Sequence, residues 1–197
     1  LSSKSRLIAL VAGVGLWAIA APTLAAEQEF VLGPDSTITY TVTHPMHHVE
    51  GVSHQVSGRV RLAFDGVPEL ALPVRLAVPI ASFQSGNRNR DRNMLMTMNA
   101  ARFPVADFSF DRATWKTRRG SAPQAEAEGT VSGTLSLHGY RRAIDVPVTG
   151  RWMGDRLEVM GEFSVMATEF GIERPQLLMI PIDDRIRLAV HLIGHRR

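Results

Sequence analysis

The chain has 197 residues, of which 45 % are hydrophobic and 7 % aromatic, with 22 Lys and Arg set against 19 Asp and Glu. It has no Cys, so disulfides, thiolate zinc sites and acylation of an N-terminal Cys are excluded. The small cationic excess comes without a Lys/Arg stripe interleaved with aromatics, and Asp91 sits among Arg88, Arg90 and Arg92, so no nucleic acid is expected as a partner.

Leu1 to Ala26 reads as a secretory signal peptide. Lys4 and Arg6 supply the positive start, Leu7 to Ile19 the uncharged apolar run, and Pro22 breaks that run before Thr23-Leu24-Ala25-Ala26. Cleavage after Ala25 and after Ala26 both fit. The segment predicts export to the periplasm. An uncleaved anchor helix would need roughly 20 apolar residues, more than this run supplies. The remaining 27–197 is expected to form one domain. Two of the Lys and Arg and no acidic residue lie in 1–26, which leaves the domain 20 cations against 19 anions.

From Thr37 onward the dominant signal is period-two alternation, the mark of strands with one apolar and one polar face. The first set is Ile38, Tyr40 and Val42, set among threonines and ending at His44. The stretch from His44 to His54 breaks the pattern and reads as a loop at a barrel mouth. It holds His44, His47, His48 and His54 with Glu50 among them, and imidazoles are good ligands for zinc, copper, nickel and iron. Their spacing matches no specific zinc signature. A metal- or haem-binding site in this loop is therefore the alternative reading, beside the plainer one of histidines at an entrance.

Alternation resumes at Val56, Gly58, Val60, Leu62 and Phe64, then at Leu72, Val74, Leu76, Val78 and Ile80. Arg88 to Ala100 has no period of two, is rich in helix formers and stops before Phe103-Pro104, which predicts one helix. On it Met94 and Met98 share a face, while Met96 points about 160° from Met94 at 3.6 residues per turn. The string is thus read as core or cavity lining rather than a copper site. Phe108–Phe110 starts another strand, and Ser121 to Glu128 reads as a surface loop. The remaining strands are Val131 to Leu137, Ile144 to Val148 with Trp152, Leu157 to Val165, and Ile186 to Leu192 after an Asp183-Asp184 turn.

So many strands with so little helix predict an all-β fold, an antiparallel barrel of about eight strands with one helix over or beside it. Gly58, Gly133 and Gly161 on the apolar face favour tight coiling or interior space. Few aromatics, and Pro73, Pro79 and Pro147 within strands, argue that the apolar face points inward rather than to lipid. A barrel of that size holds one small or slender ligand. Its cavity is expected to be lined by Ile38, Tyr40, Val60, Leu62, Val74, Leu76, Phe108, Leu135, Val148 and Phe163, with His44, Arg90, Asp91, Met94 and Met98 at the mouth or on the helix. No nucleophile elbow, His-Glu-x-x-His helix or phosphate loop is present, so no catalytic residue is assigned and no enzyme is expected.

Ser85-Gly86-Asn87, Arg90-Asp91, a Met-rich helix, then Phe103-Pro104 and Phe108-Ser109-Phe110 together resemble the YceI-like family. His44, Gly133-Thr134-Leu135, Leu137-His138-Gly139 and Glu169-Phe170-Gly171-Ile172 extend the likeness over 29–195. Asn93 and Ala167 stand where family members often carry His and Arg. The resemblance implies a lipocalin-like periplasmic barrel that binds a long isoprenoid lipid, a polyprenyl chain or the tail of a quinone. It requires no cofactor, and loading and unloading such cargo implies transient contact with a membrane or a membrane protein. A dimer is compatible with the sequence.

Overall fold

The computed structural model describes residues 26–44, 47–64, 68–174, 176–177 and 180–197. Apart from the backbone of Ala26, the predicted signal peptide lies outside them. The strands in chain order are β1 (Ala26–Leu32), β2 (Thr37–His44), β3 (His47–Ser53), β4 (Ser57–Phe64), β5 (Glu69–Pro79), β6 (Val105–Ser121), β7 (Gln124–Leu137), β8 (Tyr140–Met153), β9 (Arg156–Met166), β10 (Gln176–Leu177), β11 (Ile180–Pro181) and β12 (Arg185–Arg196). The helix α1 (Arg88–Thr97) stands between β5 and β6, and single 3₁₀ turns follow β5 and β9.

Eight strands close into an antiparallel barrel in the order β1-β4-β5-β6-β7-β8-β9-β12, with β12 pairing back to β1. β2 and β3 extend the wall beyond β1, because β12 serves two neighbours in succession. Its Ile186–His191 stretch pairs with β2 and its Gly194–Arg196 stretch with β1. Ser36 holds the break between them. Its hydroxyl donates to the Ile193 carbonyl (3.1 Å) and accepts from the Ile193 amide (2.9 Å), and the side chain is fully buried.

Alternation places the apolar set inside, as expected. Val60 and Leu62 are buried, while Arg59 and Arg61, alternating with them, point outward and pair with Glu29 (3.2 Å) and Glu27 (3.3 Å). The glycines of the inner face mark close approaches. A Cβ on Gly133 would strike the Ser109–Phe110 backbone of β6, at the point where the β6–β7 register shifts past Phe110. Such bulges bend a strand and tighten the coil. Pro73 is accommodated in the same way, within the β4–β5 irregularity between Arg59 and Arg61. Pro147 sits where β8–β9 pairing ends, one residue beyond the Val148–Gly161 pair.

Two expected loops are strands. The His-rich stretch forms β3, paired in register with β2 from His44–His47 to Ile38–Ser53. Its alternation is masked at Gly51, whose place opposite Tyr40 leaves room for the tyrosine ring to lie across it. Ser121 to Glu128 is a tight hairpin, with only Ala122 and Pro123 between β6 and β7. Both faces of this ribbon are largely polar, tied by pairs such as Lys116–Glu128 (3.1 Å), so it carries little apolar periodicity to read. Among the described residues no helix is long and apolar enough to cross a membrane.

Candidate ligand cavity

The barrel interior holds two cavities. One, of about 340 Å³, lies at the end covered by α1; the other, of about 130 Å³, lies toward the opposite end. The larger falls within the size range of small-molecule pockets, roughly 300–1,000 Å³. Its walls are hydrocarbon, from Val42, Val78, Ile80, Leu135, Leu137, Val165 and Leu188, with Tyr40 among them. The smaller is walled by Val60, Leu76, Phe110, Trp115, Val131, Val148, Trp152 and Phe163, among others. All ten side chains expected to line the interior do so, but they divide between the two spaces, and the expected single cavity is not continuous. Ile38 and Phe108 line both.

The polar side of the larger cavity is built by α1. Arg90, Asn93, Met94, Thr97 and Met98 all line it, a spacing of three and four residues that puts them on one helix face. Met96 points away and is 65 % exposed, as its angular offset requires. Glu173 completes the polar rim.

The Ser85-Gly86-Asn87-x-x-Arg90-Asp91 motif is what seats this helix. The Asn87 side chain caps its start by accepting from the Asn89 and Arg90 amides (2.9 and 3.2 Å). Asp91 accepts from both the amide (2.9 Å) and the hydroxyl (2.6 Å) of Ser85. Arg90 donates through Nη2 to the Ser85 carbonyl (2.8 Å) and through Nε to its hydroxyl (3.3 Å). Both contacts tie the first turn of the helix to Ser85, which precedes the N-cap. Asp91 belongs to this anchor and is not among the cavity-lining residues. Burial pushes the Tyr40 phenol above its ordinary range, with the Asp91 charge adding and Arg90 opposing, so Tyr40 presents a neutral hydroxyl.

Among the described side chains, His44, His48 and His54 do not form one cluster. His44 is buried at the end of β2 and is outside the cavity lining. Strand parity sends His48 to the face opposite His44, where its Nδ1 sits 3.1 Å from Thr43 Oγ1, and the side chain of His47 lies outside the described residues. His54 is past the far end of β3, about 23 Å along the strand from His47. Among the described residues no group of three or more His, Asp or Glu is arranged to hold a metal ion. Asp183 and Asp184 do turn work: Asp183 accepts from the Arg185 amide, and Asp184 accepts from the Thr168 amide (3.0 Å) and hydroxyl (2.6 Å).

Sequence reasoning missed Trp115 and Phe110 on the small cavity and Val165, Ala167 and Ile172 on the large one. Trp115 lies in the polar ribbon beyond the β6 bulge, which shifts the parity of everything after it. Ala167 opens the 3₁₀ turn and Ile172 follows it; Phe170 within the turn is fully buried and its carbonyl meets His138 Nδ1 at 2.9 Å.

A family model described as the YceI-like domain matches residues 31–193. Among solved structures, the chain is similar to a polyisoprenoid binding domain from Saccharophagus degradans implicated in plant cell wall breakdown, at 17 % identity and a TM-score of 0.68, covering 89 % of this chain and 100 % of that one. It is similar to BcnA of Burkholderia cenocepacia at 18 % identity and a TM-score of 0.62, covering 80 % and 95 %. A YceI protein of Campylobacter jejuni matches at 15 % identity and a TM-score of 0.57, covering 79 % and 89 %. At these identities the likeness establishes the barrel fold. No curated protein matches the chain.

Proposed function

The chain belongs to the YceI-like domain family, and from that premise we propose that it is a non-enzymatic binding and carrier protein for an isoprenoid lipid. The cargo is a polyprenyl chain or the tail of a quinone, and the protein works in the periplasm after export. The observation that carries this reading is the cavity under α1, whose interior is hydrocarbon and whose polar groups lie on one side, along the helix and at Glu173. That layout suits a molecule with an apolar tail and a polar end. The similar domain from Saccharophagus degradans is a polyisoprenoid binding domain, which supports the same class of ligand.

The energetics favour recognition by the tail. Burial of hydrocarbon contributes about 0.8 kcal/mol per methylene-sized group, so one five-carbon unit contributes up to roughly 3–4 kcal/mol before the chain-ordering cost is subtracted. Head-group contacts at Arg90, Asn93 and Thr97 orient the ligand. Native mass spectrometry of the purified protein, followed by organic extraction, tests the proposal. The expected result is one isoprenoid or quinone per chain, present on isolation or taken up on addition. A protein that is empty and also ignores added polyprenols and ubiquinone overturns it.

A further inference from the structure

The division of the interior is a built feature. Every strand that lines both cavities changes from one to the other part-way along its length. The change lies between Leu76 and Val78 on β5, Val131 and Leu135 on β7, Phe163 and Val165 on β9, and Val190 and Leu188 on β12. Phe108 stands between the two cavities: its neighbour across the sheet on β5, Leu76, lines the small cavity and its neighbour on β7, Leu135, the large one, and its ring is edge-on to Phe163 at 6.2 Å between centroids. Ile38 approaches from the facing wall and is 1 % exposed. These two side chains are the ones shared by both cavities.

Taking the proposed isoprenoid ligand as given, we propose that Phe108, backed by Ile38, is the ruler that sets how much of the chain the protein encloses. A carbon with its hydrogens takes up about the volume of a water molecule, near 30 Å³. The cavity of about 340 Å³ therefore encloses roughly two to three five-carbon units. The space beyond Phe108, about 130 Å³, would hold roughly one more. Units past the third stay outside the wild-type barrel and add nothing to affinity.

Trp115 and Trp152 both line the small cavity and are the tryptophans of the described residues, so their emission reports whether a ligand has passed Phe108. The probes are the ten-, fifteen- and twenty-carbon isoprenols geraniol, farnesol and geranylgeraniol, titrated with native mass spectrometry and tryptophan fluorescence. In the wild type, affinity should rise about tenfold from geraniol to farnesol and then level off, with little change in emission. In Phe108→Ala the rise should continue to geranylgeraniol, with a clear change in emission. The double variant Phe108→Ala/Leu76→Trp, which fills the small cavity, should cancel that gain. Phe108→Leu and Ile38→Ala give weaker versions of the same shift if the alanine variant does not fold.

A wild-type affinity that keeps rising past farnesol with a matching emission change overturns the ruler while leaving the lipid reading intact. So does a levelling-off point that none of the Phe108 and Ile38 variants moves. Failure of every isoprenol to bind the wild type overturns the lipid reading itself, and the ruler with it.

Discussion

Replacing Ser36 with Ala tests how the barrel is closed. The hydroxyl makes two bonds to one residue, donating to the Ile193 carbonyl and accepting from the Ile193 amide, and both Ser36 and Ile193 are essentially inaccessible to water. The two losses are unequal. The carbonyl retains the Gly33 amide as a donor at 3.0 Å, so losing the serine donor costs about 1 kcal/mol, the net value of an ordinary hydrogen bond. The Ile193 amide faces the break where neither β1 nor β2 pairs with it, so it is left buried and unsatisfied, which costs about 1–3 kcal/mol. The sum is roughly 2–4 kcal/mol, or a fall in Tm of roughly 5–12 °C for a domain of this size. Ser57→Ala is the control. Its hydroxyl also donates to a backbone carbonyl, that of Ala77 at 3.2 Å, but at an exposed position, so its loss should stay within about 0.5 kcal/mol. Urea unfolding of the two variants and the wild type measures both. If Ser36→Ala falls within the range of Ser57→Ala, the seam between β1 and β2 is not held by this side chain and the closure argument is wrong.

Leu135→Trp fills the cavity beneath α1 from the β7 wall. It should abolish isoprenol uptake in native mass spectrometry at an overpacking cost of about 1–3 kcal/mol, and unchanged uptake would remove that cavity as the site. Thr168→Val tests the tie between the 3₁₀ turn and the start of β12. The Thr168 hydroxyl holds the Asp184 carboxyl below its ordinary range, so this tie contributes stability that is complete above the unfolded carboxyl pKa of about 3.9 and is lost as pH falls through the lower folded value. The variant should accordingly melt below wild type at pH 7, with the gap closing below about pH 4; a gap that is constant from pH 7 to pH 3 refutes the attribution.

The barrel was legible because its inner face is written as a parity. Val60 and Leu62 against Arg59 and Arg61, or Leu76 and Val78 against Arg75 and Ala77, leave one way to fold each strand once the interior is apolar. Parity failed where an element had no apolar face. The ribbon from Lys116 to Glu128 gives the small cavity only Ala125, Glu126 and Ala127, too little apolar surface to show a period, and its cross-strand charge pairs and tight turn identify it. It failed again at β3, where Gly51 replaces an apolar side chain because the Tyr40 ring needs the space. Reading that stretch as a loop is what made four histidines look able to gather. As a strand, it sends His48 to the face opposite His44 and carries His54 to the far end.

Depth along the barrel was not legible at all, and depth is what organises the site. Parity says that Leu76, Phe108 and Leu135 face inward, but their position side by side at one level follows from the β5–β6–β7 register. That register is set partly by the bulge in β6 opposite Gly133. The helix hides its role for a related reason. Its inner face mixes Arg90, Asn93 and Thr97 with Met94 and Met98, so hydrophobic periodicity, the usual guide to a buried helix face, is weak there. A helix that sealed the barrel would carry an apolar stripe on that face. The mixed face of α1, held in place by Ser85 through Arg90 and Asp91, is what gives an otherwise hydrocarbon cavity a polar side at which a tail could end and a head group begin.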